Sequence, residues 1–123
     1  MTPVKQTKFG EEGNCMTACI ASLLDLPINE VPYFLGEDDF WGSVSEFLES
    51  RGYEYNAFIK GDEIEDWKKA PGIDGYFIVS GESPRMPGIQ HAVIYKGQEM
   101  FFDPHPDNTG ILTVDWIDDI RRK

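Results

Sequence analysis

Cysteine is nearly absent from this chain of 123 residues: Cys15 and Cys19 are the whole supply. Two thiols four residues apart do not build a disulfide framework, and at i, i+4 on a helix the bridge geometry is poor. The pattern predicts a reducing, cytoplasmic setting. Positive charge is also scarce, with 11 Lys and Arg against 22 Asp and Glu and a formal net charge of −11. A nucleic-acid partner is therefore not expected, because phosphate binding needs a basic patch. Acidity of this degree keeps a protein soluble and favours a basic partner or substrate. No run approaches the ~18 apolar residues of a membrane helix, so no membrane association is expected. Residues 1–8 lack the apolar stretch of a signal peptide. Hydrophobic residues at 41% and aromatics at 13% suffice for one core, so residues 1–123 are expected to form a single domain.

What is present begins with Gly13-Asn14-Cys15. Asn14 is a good N-cap, since its side-chain oxygen can accept an orphan N–H at a helix start. Ile20, Leu23 and Leu24 then follow at the spacing of a buried helical face. A helix from Cys15 to about residue 25 is predicted, stopped by Pro27. A thiol in the first turn of a helix lies at the positive end of its dipole, which favours thiolate. The plainer alternative is that Cys15 is a small buried hydrophobe.

Further along, residues 4–7 read as extended and 10–13 as a turn. Tyr33, Phe34 and Leu35 are expected to pack back on the first helix. Asp39 can cap a second helix over 40–51, with Phe40, Trp41, Val44, Phe47 and Leu48 on one side and Gly52 as its stop. Residues 53–59 alternate as a strand, and 62–69 form a short helix or a connecting loop. The apolar run 75–80 suits the centre of a sheet, and the turn-rich 81–90 borders a cleft. A hairpin pairs 91–95 with 99–103 around the turn 96–98. Residues 104–110 form a proline-bracketed loop, 111–114 a last strand, and 115–122 a terminal helical turn. Helices first and an antiparallel sheet afterwards give an α+β fold.

The two histidines, His91 and His105, both fall in this second half. His91 opens one hairpin strand and Asp103 closes the other, so the two are expected to face each other across the ladder. Cysteine, histidine and aspartate together are what thiol catalysis requires. The His accepts the thiol proton and later protonates the leaving group, and the Asp fixes its tautomer.

Gln6…Gly13-Asn14-Cys15…Ala18…Ala21-Ser22-Leu23-Leu24, then His91-Ala92-Val93, then Asp103-Pro104, resembles the papain-like cysteine peptidase superfamily. The nearest flavour is its compact bacterial and phage branch, similar to bacteriocin-leader peptidases. That resemblance implies an N-terminal helix bearing the nucleophile, packed on a small antiparallel sheet bearing the His and the third residue. Carried over, Cys15 is the nucleophile, His91 the general base and acid, and Asp103 the orienter. Gln6 is the oxyanion-hole donor, with the Cys15 backbone N–H. Gln6 lies nine residues before Cys15, where such a Gln usually lies about six before. The extra turn 10–13 bulges out to keep it in place, or Asn14 serves instead. Met16 stands where a Gly is usual.

The expected activity is a thiol hydrolase of peptidase or amidase type that forms a thioester acyl-enzyme on a peptide or protein substrate of basic character, with no cofactor. An acyltransferase or deamidase would use the same triad. A non-catalytic acidic interaction module or inhibitor with this fold is the alternative from another class. His105 is a second candidate for the base, although it lacks an evident orienter. Asp103, Asp107 and Asn108 lack the spacing and terminal Glu of a calcium loop. Cys15, Cys19, His91 and His105 would make an unusual zinc set, so no metal is expected. Cys19, Trp67 and Trp116 read as core or rim residues, and Trp41, with His105, as a wall of a substrate cleft.

Overall fold

The computed structural model describes residues 1–36, 38–59 and 71–123. The predicted segment 62–69, with Trp67, lies outside them. Two helices, α1 (Cys15–Leu24) and α2 (Phe40–Ser50), precede a five-stranded sheet. Its strands are β1 (Tyr53–Ile59), β2 (Tyr76–Glu82), β3 (Gln90–Lys96), β4 (Glu99–Phe102) and β5 (Trp116–Arg122). All pairings are antiparallel in the order β1-β5-β2-β3-β4. The α+β class follows directly from this order of elements.

Helix α1 is buried from Met16 to Leu24, on every side rather than along one stripe. Such all-round burial requires an apolar helix with small residues, which Ala18, Ala21 and Ser22 supply. Asp25 ends it in the left-handed region at φ 56°, with the Leu26 N–H reaching back to the Ala21 carbonyl. The Asp25 carboxylate accepts from the Thr2 hydroxyl at 2.6 Å and pairs with the N-terminal amine at 3.3 Å. From there the N-terminal segment is bound along its length. The Thr2 and Val4 N–H groups bond Ser22, and the Gln6 N–H donates to the Pro104 carbonyl. It is an irregular strap rather than a strand, and it carries Gln6 from the foot of α1 to its head.

Helix α2 is capped as expected, the Asp39 side chain accepting from the Gly42 N–H at 3.0 Å. Val44 and Leu48 are buried, while Trp41 stays 40% exposed. Phe34 joins the core, but Leu35 is half exposed, so only part of 33–35 packs back as anticipated.

The C-terminal segment overturns its prediction. Residues 116–122 form β5, a strand between β1 and β2, and not a helical turn. Ile117 and Ile120, three apart on this strand, enter different cores on opposite faces of the sheet. Charge hid the strand, because Asp118 and Asp119 are both buried here. Each has a dedicated partner: the Tyr55 hydroxyl for Asp118, and the Gly72 N–H and Arg121 for Asp119. Residues 111–114, expected as a strand, run irregularly past the end of β2. There the Leu112 N–H meets the Glu82 carbonyl and the Asp115 N–H the Ser80 carbonyl. Gly81 permits that crossing, since a Cβ at this position would lie 1.6 Å from the Thr113 carbonyl oxygen.

Among the described residues no helix is long and apolar enough to cross a membrane.

Candidate active site

The start of α1, the start of β3, the β4–β5 loop and the N-terminal strap meet at one cavity of about 550 Å³. Gln6, Asn14, Cys15, Trp41, His91 and His105 all line it. Asp103 lies behind His91, 1% exposed.

The β3–β4 hairpin does not bring His91 and Asp103 together by direct opposition. A register shift at the Ile94/Tyr95 step leaves Ile94 facing Phe102, and the ladder stops there. Asp103 instead turns back from the loop, and its Oδ1 lies 2.7 Å from His91 Nε2. Three hydrogen bonds fix the carboxylate in that pose. Oδ1 also accepts from the His105 N–H at 2.9 Å, and Oδ2 from the Gly110 N–H at 2.8 Å. Burial alone would raise the Asp103 pKa, but these donors together hold it below the usual 3.8.

Lys5 clamps the same loop. Its Nζ donates to the Asp103 carbonyl at 2.9 Å and to Asn108 Oδ1 at 2.9 Å.

With Nε2 committed to Asp103, Nδ1 is the His91 atom left to hydrogen-bond the Cys15 thiol. Burial opposes a charge on this ring. The Asp103 hydrogen bond and then the Cys15 sulfur outweigh it and raise the His91 pKa from 6.5 to about 9. Cys15 is half-buried and reachable from the cavity. Cys19, one turn below, is fully buried, and burial first and the charge of Cys15 second push its thiol pKa up.

Asn14 occupies the N-cap position but does not cap with its side chain. Its Oδ1 accepts instead from the Thr7 and Lys8 N–H groups, both at 2.9 Å, and its Nδ2 donates to the Thr7 hydroxyl. The amide is used to fold residues 7–13 outward, with a single 3-10 turn at Gly10–Glu12. The first intrahelical bond is Ala18 N–H to the Asn14 carbonyl, so the earlier N–H groups of α1 have no capping side chain. This bulge is what brings Gln6 to the cavity despite its nine-residue separation from Cys15. Gln6 Nε2 donates one hydrogen to the Lys8 carbonyl at 2.8 Å, while its buried Oε1 has no partner among the described residues.

His105 has an orienter that the sequence did not advertise. The Asp107 N–H donates to its Nδ1 at 3.1 Å, and Arg85 holds Asp107 through both carboxylate oxygens at 2.9 and 3.0 Å. The His105 ring meets His91 edge-on at 6.3 Å. Signals for this lock were weak, because Arg85 and Asp107 lie in loops 22 residues apart.

The calcium and zinc readings have no geometric basis. Asp103, Asp107 and Asn108 spend their oxygens on His91, Arg85 and Lys5, and no group of three or more His, Cys, Asp or Glu among the described residues is arranged to hold a metal.

Comparison of the chain with family models, with curated proteins and with solved structures finds no match.

Proposed function

We propose that this protein is a cysteine-dependent hydrolase acting on amide, thioester or isopeptide bonds, with a fold of the papain-like kind. One observation carries the reading. Asp103 hydrogen-bonds His91 Nε2, the Cys15 side chain acts on the same ring, and Cys15 and His91 together line a cavity of about 550 Å³ at the start of a helix.

In this reading His91 Nδ1 takes the thiol proton and the sulfur adds to the substrate carbonyl. The developing oxyanion is met by the Cys15 backbone N–H at the first position of α1 and by the second Nε2 hydrogen of Gln6. His91 returns its proton to the leaving amine, which departs and leaves a thioester on Cys15. Water then attacks with His91 as base, and the acid is released. Asp103 keeps the ring in the tautomer that presents Nδ1 to sulfur and stabilises the imidazolium between the two transfers. Transfer to an amine, or deamidation, would share the first half of this sequence. An orphaned Gln6 Oε1 costs ~1–3 kcal/mol, which supports a role for this side chain beyond packing.

The test is labelling with an alkyne-tagged vinyl sulfone, wild type against Cys15→Ala. Labelling that depends on Cys15 and falls steeply in His91→Ala is expected. An unlabelled wild type would move the reading to a binding module.

A further inference from the structure

Of the seven large hydrophobic side chains that are exposed among the described residues, four line this one cavity: Phe9, Leu35, Trp41 and Met86. They come from four different segments, and a surface that gathers exposed apolar groups around a concave site is a binding surface. Three of them fall into two clusters. Phe9 packs edge-on against His105 at 5.2 Å, and Met86 sulfur lies 3.7 Å from where a Cβ on Gly10 would stand. Trp41 packs against Phe40 at 4.8 Å and Trp116 at 6.1 Å, on the α2 and β5 side, with Phe34 behind Phe40 at 6.0 Å. No ring contact joins the two clusters among the described residues.

We propose that the cavity binds an extended peptide with two bulky apolar side chains, one seated in each cluster on either side of the bond presented to Cys15. This rests on the hydrolase reading for the bond and names the substrate class that reading leaves open. An acyl chain would satisfy the apolar clusters alone. The same cavity also carries Gln6, Ser80 and His105, groups that pair with the C=O and N–H of a peptide and that a hydrocarbon would leave bare. Net charge does not select the central residues. Arg85, the basic side chain in the lining apart from the histidines, is held by Asp107 and Thr109.

The experiment uses Cys15→Ala protein, so that binding is read without turnover. The probe is the capped hexapeptide acetyl-Gly-Ser-Leu-Phe-Ser-Gly-amide, compared by calorimetry with versions carrying Ser for Leu, for Phe, or for both. The parent should bind at least about tenfold tighter than either singly substituted peptide. Adding Trp41→Ala should erase the preference at one position, and Met86→Ser the preference at the other. A preference kept at the Met86 position guards against misfolding in the Trp41 variant. Equal affinity for the parent and doubly substituted peptides would overturn the proposal. So would loss of the same preference in both variants, or tighter binding of decanamide than of the parent peptide. A wild type that binds the parent selectively yet takes no vinyl sulfone would keep the cleft assignment and remove only the hydrolase.

Discussion

His91 Nε2 stands 2.7 Å from Asp103 Oδ1 although the two residues are not paired across the hairpin. The contact is made by a loop that leaves β4, is gripped by Lys5, and turns its first carboxylate back under the ring. A histidine held this way on one nitrogen has a single nitrogen left for the thiol. The arrangement is directional: charge placed on the ring is stabilised from both ends, by the carboxylate and by the sulfur.

Both influences are measurable. His91 should titrate near 9 by NMR in the wild type, well above the usual 6.5. Asp103→Asn and Cys15→Ala should each lower that value, because both partners raise it. A histidine whose folded pKa is raised contributes stability that is whole below about 6.5 and is lost as pH rises through about 9. Wild type should thus lose melting temperature across that window, and Asp103→Asn should lose less. Unchanged His91 titration in both variants would refute the coupling.

Alkylation separates the two thiols. Cys15 lines the cavity, whereas Cys19 is fully buried and its pKa is raised first by burial. Iodoacetamide near neutral pH should label Cys15 at least ~100-fold faster than Cys19, as read by mass spectrometry of the peptide spanning both. Comparable rates would mean that the start of α1 opens in solution, or that Cys15 has no activating partner.

Gly81 tests the crossing that forms the floor behind Ser80. Gly81→Ala puts a methyl 1.6 Å from the Thr113 carbonyl oxygen, which is backbone and has no rotamer to adopt. The 111–115 segment must shift, and its bonds to Glu82 and Ser80 go with it. Urea denaturation should show a loss of ~2–4 kcal/mol. A neutral substitution would mean that this segment is not seated as described.

Much of the candidate site was legible because its signals are local. A cysteine after an asparagine at the head of an apolar run, and a His and an Asp at the two ends of a hairpin, need no knowledge of the fold. Asn14 was misread in role though not in place, since competition from the Thr7 and Lys8 N–H groups for its oxygen is invisible to a capping rule. The Asp103 contact was anticipated for the wrong reason, because a bulge leaves no mark in four residues of Glu-Met-Phe-Phe. The C-terminal strand was missed for a stronger reason. Asp-Asp in the middle of a sheet contradicts burial, and only long-range partners such as Tyr55 and Gly72 reconcile it.

One of those two aspartates is only half reconciled. Asp118 is 1% exposed; its Oδ1 accepts from the Tyr55 hydroxyl, and its Oδ2 has no partner among the described residues. Burial raises its pKa from 3.8 to about 6, and the Tyr55 bond offsets only part of that. The sign is the reverse of a salt-bridged carboxylate. The folded state binds the proton more tightly than the unfolded one, so stability is greatest below about 4 and falls as pH rises through about 6. Above that range the gap from 3.8 to about 6 corresponds to ~3 kcal/mol of lost stability. Asp118→Asn keeps an oxygen for Tyr55 and cannot ionise. At pH 7.5 it should be more stable than wild type by ~1–3 kcal/mol, with the unpaired amide taking back part of the gain. The advantage should shrink toward zero near pH 4, where wild type is protonated. Denaturant melts of both proteins at pH 4, 5.5 and 7.5 decide it, since charges elsewhere cancel in the difference. A variant that is less stable at pH 7.5, or an advantage that does not vary with pH, would mean that Asp118 has an ionic partner in the folded protein.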